Sequence, residues 1–234
     1  MNSKIIGIVV LVVAIGGASA YFLSKPDTIN PASLENELVT QNDKIGLVIN
    51  TITPPQSIDD IEKSYKVAAA SGIGRTNLYI HWYQLEPEKG NFDWRMTDIM
   101  MKLNEKYDLK TTLFFSVINA DRLGPFPPWM DRQALGKSLE QETIRALDEI
   151  LSRYDNIDYV IFAGDIDYHF QRATGSIPIY TDFFNNVSQE IKSNHPNVKI
   201  GNTMSLENII NKGMEPGGSF ELTPQLEMGD FIAL

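Results

Sequence analysis

The sequence predicts an α/β fold: a TIM (β/α)8-type barrel, incomplete at about six βα units, preceded by an N-terminal hydrophobic helix. Three observations predict it. Short apolar strands alternate with amphipathic helical stretches over residues 44–234. Strand starts fall near residues 45, 76, 111, 158, 198 and 230, roughly 30–47 residues apart, which is the length of one barrel unit. The first strand-to-helix turn reads TITPPQS, without the phosphate-cradling glycines that often mark the competing doubly wound sheet. A full barrel needs eight strands, so two units are expected to be missing from this chain.

The elements follow in order. Behind Asn2, Ser3 and Lys4, residues 5–23 carry no charge. At about 19 residues this run approaches the ~20 that span a bilayer. Ala18-Ser19-Ala20 also fits the small-residue rule for signal-peptidase cleavage. Residues 1–25 are therefore either a signal anchor or a cleaved signal peptide. Either way the body is extracytoplasmic, membrane-anchored or secreted, because Lys4 and the α-amino group favour an inside N-terminus. Residues 26–43 are polar, carry Pro26 and Pro31, and read as a linker. The barrel-like domain is then 44–234. KIGLVIN, residues 44–50, is its first strand. Ser57 caps a helix with Asp59, Asp60 and Glu62 in its first turns, an apolar stripe of Ile58, Ile61 and Tyr65, and Gly72 as its stop. TNLYIHW, residues 76–82, is the second strand, followed by a helix over 96–107 and a third strand within 109–117. A long Pro-rich loop spans 119–138, and a helix spans 139–154. YVIFA, residues 159–163, is apolar throughout and reads as a fourth strand buried on both faces. A helix over 181–194, a strand over 197–203, a short helix or loop over 206–212, a glycine-containing loop over 213–220 and a last strand from Phe231 complete the chain.

Charged residues are 21% and hydrophobic residues 43%, the balance of a globular domain. A net charge of −10 with no basic run argues against a nucleic-acid surface. With no cysteine, disulfides, thiolate metal sites and a cysteine nucleophile are excluded. Three histidines leave little for a His-rich metal site. No nucleophile-elbow glycine pattern supports Ser-His-Asp chemistry.

The chemistry concentrates in YVIFAGDIDYHF, residues 159–170. Asp165, Asp167, Tyr168 and His169 follow the fourth strand directly, where α/β barrels place reactive groups. Three readings of the two aspartates stand open. They are an acid/base with a substrate contact, a turn pair that binds backbone amides, or, with His169, a site for a hard cation.

A longer run carries a family likeness. Arg75, then HWYQLEPEKGNFDW over residues 81–94, a helix, Leu109-Lys110 before a strand, and PFPPW over 125–129 stand in order. This layout resembles the start of retaining glycoside hydrolases of clan A. It is most similar to the catalytic barrel of family 42 β-galactosidases, and galactanases and xylanases share much of it. The resemblance covers residues 44–234 and implies a carbohydrate substrate or ligand, with no metal or organic cofactor. In that clan the fourth strand ends in Asn-Glu, the glutamate being the acid/base and the asparagine helping to place the sugar 2-hydroxyl. Here those positions are Gly164 and Asp165. The aspartate carboxyl sits ~1.5 Å further back, one carbon–carbon bond. The clan's nucleophile lies on a seventh strand that this chain lacks, so no residue is assigned to it.

The resemblance also implies that Arg75 sits low in the barrel and braces the acidic site; the simpler reading is a helix–strand salt bridge. His81 and Trp82 stand at a strand end, as sugar contacts or as a packed aromatic layer. Trp129 and Phe126 are sugar platforms or loop packing. Tyr168 and His169 line the same groove as Asp165. Glu86 and Trp94 read as structural. The expected function is an exported glycosidase-like barrel that hydrolyses β-linked sugars in retaining fashion, with Asp165 as acid/base. The alternative is a non-catalytic carbohydrate-binding or cell-envelope protein on the same scaffold. The sequence fixes no oligomeric state.

Overall fold

The computed structural model describes residues 40–49, 57–212 and 214–234. The hydrophobic run 5–23 and nearly all of the linker lie outside these residues. Among the described residues no helix is long and apolar enough to cross a membrane.

The strands are β1 (Asn42–Leu47), β2 (Ile73–Tyr79), β3 (Lys110–Asn119), β4 (Arg122–Leu123), β5 (Ile157–Gly164), β6 (Lys199–Thr203) and β7 (Phe231–Ala233). The helices are α1 (Ile58–Ala70), α2 (Trp82–Leu85), α3 (Arg95–Lys106), α4 (Lys137–Arg153), α5 (Ile166–Phe170), α6 (Ile177–Asn194), α7 (Leu206–Lys212) and α8 (Ser219–Leu226). The sheet runs β1-β2-β3-β5-β6-β7, every neighbouring pair parallel, and β4 folds back antiparallel on β3. This is part of a (β/α)8 barrel, with about six units and helices between the strands.

Local chemistry sets the boundaries. The Ser57 hydroxyl accepts a hydrogen bond from the Asp60 N–H at 3.3 Å, which caps α1. Gly72 follows α1 with φ +87°, a conformation that glycine adopts without steric cost. The second strand ends three residues before Trp82, because Trp82 opens a short helix. Its indole N–H donates to the Glu86 carboxylate one turn on, at 2.7 Å.

Strand alternation divides the sheet into two faces. Leu113, Phe115 and Val117 of β3, Val160 and Phe162 of β5 and Ile200 of β6 pack with Leu147 and Ile150 of α4 and with Phe183, Phe184, Val187 and Ile191 of α6. Each of these side chains is almost fully buried. The opposite face carries Arg75, Tyr79, Thr112, Phe114 and Ser116, and it is the face a barrel turns inward.

The LEPEKGNFDW run builds a clamp across the outer layer. Glu86 is completely buried. Its carboxylate accepts from the Trp82 indole, from the Gly90 N–H at 2.6 Å, and from the Arg145 guanidinium at 2.6 and 2.8 Å. Its carbonyl accepts from the Trp129 indole at 3.0 Å. Phe92 stacks on Trp94 at 4.9 Å, and Trp94 meets Tyr154 edge-on at 5.9 Å. The motif therefore ties the β2–α3 loop to α4. Arg145→Ala would leave the Glu86 charge buried without its counter-charge. Urea unfolding should show a loss of about 3 kcal/mol, the scale for breaking one side of a buried pair; a loss below about 1 kcal/mol would contradict the clamp.

Candidate functional site at the carboxyl end of β5

β5 ends at Gly164, and its backbone is held on both sides. The Gly164 N–H donates to the Ser116 hydroxyl at 2.9 Å, and the Gly164 carbonyl accepts from Ala120 at 3.1 Å. A Cβ at Gly164 would lie 2.7 Å from Cζ of Phe114. The strand end is thus glycine because an aromatic ring from β3 occupies the space beside it.

Asp165 then turns the chain. Its backbone is left-handed, with φ 51° and ψ 47°. Aspartate tolerates this region better than most residues, at a cost of about 1–2 kcal/mol. The turn is held because the Asp165 N–H donates to the Thr203 hydroxyl at 2.9 Å and its carbonyl accepts from Tyr168 at 3.0 Å. The Asp165 side chain caps nothing, and among the described residues it enters no hydrogen bond or ion pair. It is half-buried. Burial raises its pKa above the ordinary carboxylate value, and the neighbouring Asp167 charge raises it further.

Asp167 lies two residues on and has the opposite environment. It is fully buried. Oδ1 accepts from the Ser205 N–H at 2.8 Å, and Oδ2 accepts from Asn208 at 2.7 Å and from the Ser219 hydroxyl at 2.5 Å. It knots α5 to α7 and α8 and presents no surface to a ligand. The residues after Asp165 form a short helix rather than a loop.

The other expected site residues are placed as follows. Arg75 forms a two-pronged pair with Asp158, at 2.8 and 3.0 Å, and donates to Thr112 at 3.1 Å. Asp158 is the second residue of β5 and Asp165 follows its last, so Arg75 sits roughly 20 Å from the Asp165 end, at about 3.3 Å per residue. It stands near the start of β2 and braces Asp158 rather than the mouth. Trp82 is 4% exposed and packs on Phe115 at 5.2 Å and Phe126 at 6.1 Å, so it belongs to a packed aromatic layer. Trp129 gives its N–H to the Glu86 carbonyl, and its ring meets Lys89 at 5.3 Å and Arg145 at 5.7 Å. That ring is engaged in the clamp. His81 is exposed and shares a small cleft with Tyr79, Phe114, Ser116 and Asn119. Tyr168 packs under Arg172 at 5.2 Å. His169 is half-buried, and burial lowers its pKa against the opposing pull of the Ala120–Asp121 backbone. Among the described residues no three acidic or histidine side chains converge as a metal-binding group, Asp165, Asp167 and His169 included.

Two residues at the mouth escaped the sequence reading. Tyr79 and Phe114 are direct cross-strand partners whose rings stack at 4.3 Å and 21°. The Asp165 charge reaches the Tyr79 hydroxyl and, with burial as the larger cause, raises its pKa. The alternation in TNLYIHW and TLFFSV was the signal for them.

The solved structures to which this chain is similar agree on the fold. No protein-family profile matches the chain. Over 79 residues it is 33% identical to endo-1,4-beta-xylanase 2 of Arabidopsis thaliana, which covers 32% of this chain and 7% of that protein. A family 5 glycoside hydrolase (GH5_18) from Bifidobacterium longum, solved in complex with Manβ1-4GlcNAc, superposes with a TM-score of 0.54 at 12% identity, over 76% of this chain and 45% of that one. An exo-β-1,4-mannosidase from Opitutaceae bacterium strain TAV5 gives 0.53 at 14% identity, over 67% and 31%. A family 39 glycoside hydrolase from Bacteroides cellulosilyticus gives 0.50 at 16%, also over 67% and 31%. The chain thus spans less than half the length of each of these proteins.

Two predictions come from the aspartates. Asp167→Asn places an amide N–H₂ among three donors, and chemical unfolding should show a loss of at least about 2 kcal/mol. A loss near zero would mean that the three donors are not needed. For Asp165 the sign is reversed. Its folded-state pKa is raised, so the folded state holds the proton more tightly than the unfolded state. Its contribution to stability therefore falls as pH rises from the unfolded carboxylate pKa through the folded one. Asp165→Asn removes that penalty. The melting temperature of the variant relative to wild type should rise from acid to neutral pH, and a flat or opposite difference would contradict the assignment. Taken together, the chain has the fold of a partial (β/α)8 barrel, similar to the glycoside hydrolase barrels above, with the half-buried Asp165 carboxyl, which makes no hydrogen bond among the described residues, just past the carboxyl end of β5.

Proposed function

We propose that the chain is a glycosidase-like barrel acting on β-linked sugars, with Asp165 as the acid/base. One observation carries the reading. Asp165 is half-buried, makes no side-chain hydrogen bond or ion pair among the described residues, and is held in a left-handed turn at the carboxyl end of a central strand. Desolvated carboxyl groups without a structural partner are what proton transfer near neutral pH requires. In this reading Asp165 gives its proton to the glycosidic oxygen as the bond from that oxygen to the anomeric carbon breaks. Its carboxylate then takes a proton from the water that attacks the sugar. Retaining chemistry needs a second carboxyl group about 5–5.5 Å away. Asp167 is buried and hydrogen-bonded, so it does not fill that role.

The stretch of identity to a xylanase and the superposition on β-mannoside-acting and related barrels support a β-linked substrate. The HWYQLEPEKGNFDW layout supports a family 42-like relationship within clan A. The uncharged run at residues 5–23 supports an exported body, anchored in the membrane or secreted. The second reading, a carbohydrate-binding protein without turnover, is favoured by the engaged state of Asp167.

The test is hydrolysis of p-nitrophenyl β-xyloside, β-mannoside, β-glucoside and β-galactoside by the full chain beside Asp165→Asn. Turnover should appear with at least one substrate and fall about a hundredfold or more in the variant, the scale for loss of a general acid. No turnover from a chain shown folded by circular dichroism would overturn catalysis and leave the binding reading. Turnover unchanged in the variant would remove Asp165 from the mechanism.

A further inference from the structure

We propose that the stacked pair Tyr79–Phe114, on the inward face of the sheet, is the platform on which an uncharged β-linked pyranose lies beside Asp165. The inference rests on the glycosidase-like reading and names the surface and ligand class of that site.

Three observations support it. Alternation and register stack Phe114 face to face behind Tyr79 on the face turned away from the helices, at 4.3 Å and 21°. Tyr79 nevertheless stays 47% exposed, while Leu78 and Ile80 on either side are 5% and 7% exposed. The outer face of the exposed Tyr79 ring, backed by Phe114, offers a flat apolar surface of the kind that apolar ring faces cover. The platform also touches the reactive strand end. Phe114 fills the space where a side chain on Gly164 would stand, and Asp165 is the next residue.

The polar groups around the platform suit hydroxyls. The Tyr79 hydroxyl and the exposed His81 ring lie at its rim. Asn119 spends its N–H₂ on the carbonyls of Ser116 and Gly124, at 3.3 and 2.6 Å. Its Oδ1 takes no hydrogen bond among the described residues and can accept one from a ligand. A pyranose with equatorial substituents has an apolar C–H face for the rings and hydroxyls on its edge for these groups. The charge environment selects against anions. The chain carries −10 overall, and the Asp165 carboxyl group adjoins the platform.

Isothermal titration of the full chain with xylotetraose and β-1,4-mannotetraose, beside tetragalacturonate, tests the proposal. Tyr79→Ala and Tyr79→Phe are the variants, since a half-exposed strand residue can be truncated without emptying the core. The wild-type chain should bind at least one neutral tetrasaccharide, and bind it at least tenfold tighter than tetragalacturonate. Tyr79→Ala should weaken that binding about tenfold or more, whereas Tyr79→Phe, which keeps the ring, should stay within about threefold of wild type. Neutral-sugar binding unchanged in Tyr79→Ala overturns the platform and leaves the glycosidase-like reading intact. Equal weakening in both variants overturns stacking in favour of a hydroxyl contact. Equal affinity for tetragalacturonate overturns the choice of an uncharged ligand. A wild-type chain that binds none of the three overturns the reading and the platform together.

Discussion

The carboxylate of Asp167 governs the geometry at the carboxyl end of the sheet. It is a fully buried charge, and burying an ionised carboxylate is tolerable only when donors replace its water. Ser205, Asn208 and Ser219 supply them, one from the backbone after β6 and two from the helices that follow. That knot fixes where α5 begins. Because α5 begins immediately after Asp165, the residue is forced into its left-handed turn with its side chain outside the knot. The position of the Asp165 carboxyl thus depends on a second carboxylate that is itself closed to ligands.

The two aspartates show how environment divides one residue type into two roles. Asp167 has spent its lone pairs inside the fold. Among the described residues the Asp165 carboxyl takes no hydrogen bond, and burial, with the Asp167 charge beside it, holds its proton more tightly than in a free aspartate. A carboxyl group whose pKa is raised by burial is a recurrent arrangement for acid–base work. The surrounding structure carries the cost: the strained turn is held by Thr203 and Tyr168, and the tight fit at Gly164 by Phe114. Further out, the Glu86–Arg145 clamp fastens the loop after β2 to α4 and so steadies the strand that carries Tyr79.

Most of the scaffold was legible because burial writes itself into short apolar runs. YVIFA marked β5, and the spacing of the strand starts marked repeated βα units. Boundaries slipped where a side chain overrode the pattern. Trp82 reads as the last residue of a strand, yet its hydrogen bond to Glu86 closes a helical turn instead. The site was legible only in part. The sequence puts Asp165 and Asp167 in the same short stretch, but the donors that pull Asp167 inward come from segments far along the chain. Their arrival there is a property of packing. Tyr79 and Phe114 were missed for a related reason: each stands in an ordinary strand pattern, and only the register between β2 and β3 makes them neighbours. Trp129 has the composition of a sugar platform, but the cationic side chains over its ring and the Glu86 carbonyl claim it for the clamp.

The central claim is that Asp165 is a desolvated acid poised to hold and release a proton. Carbon-detected NMR of the aspartate carboxyls, followed through a pH titration with Asp165 assigned by comparison with Asp165→Asn, tests it most directly. The account predicts a midpoint for Asp165 clearly above the ordinary aspartate value, and a lower midpoint once Asp167 is replaced by asparagine. A midpoint at or below the ordinary value would contradict the account, because it would mean that Asp165 is either solvated or paired.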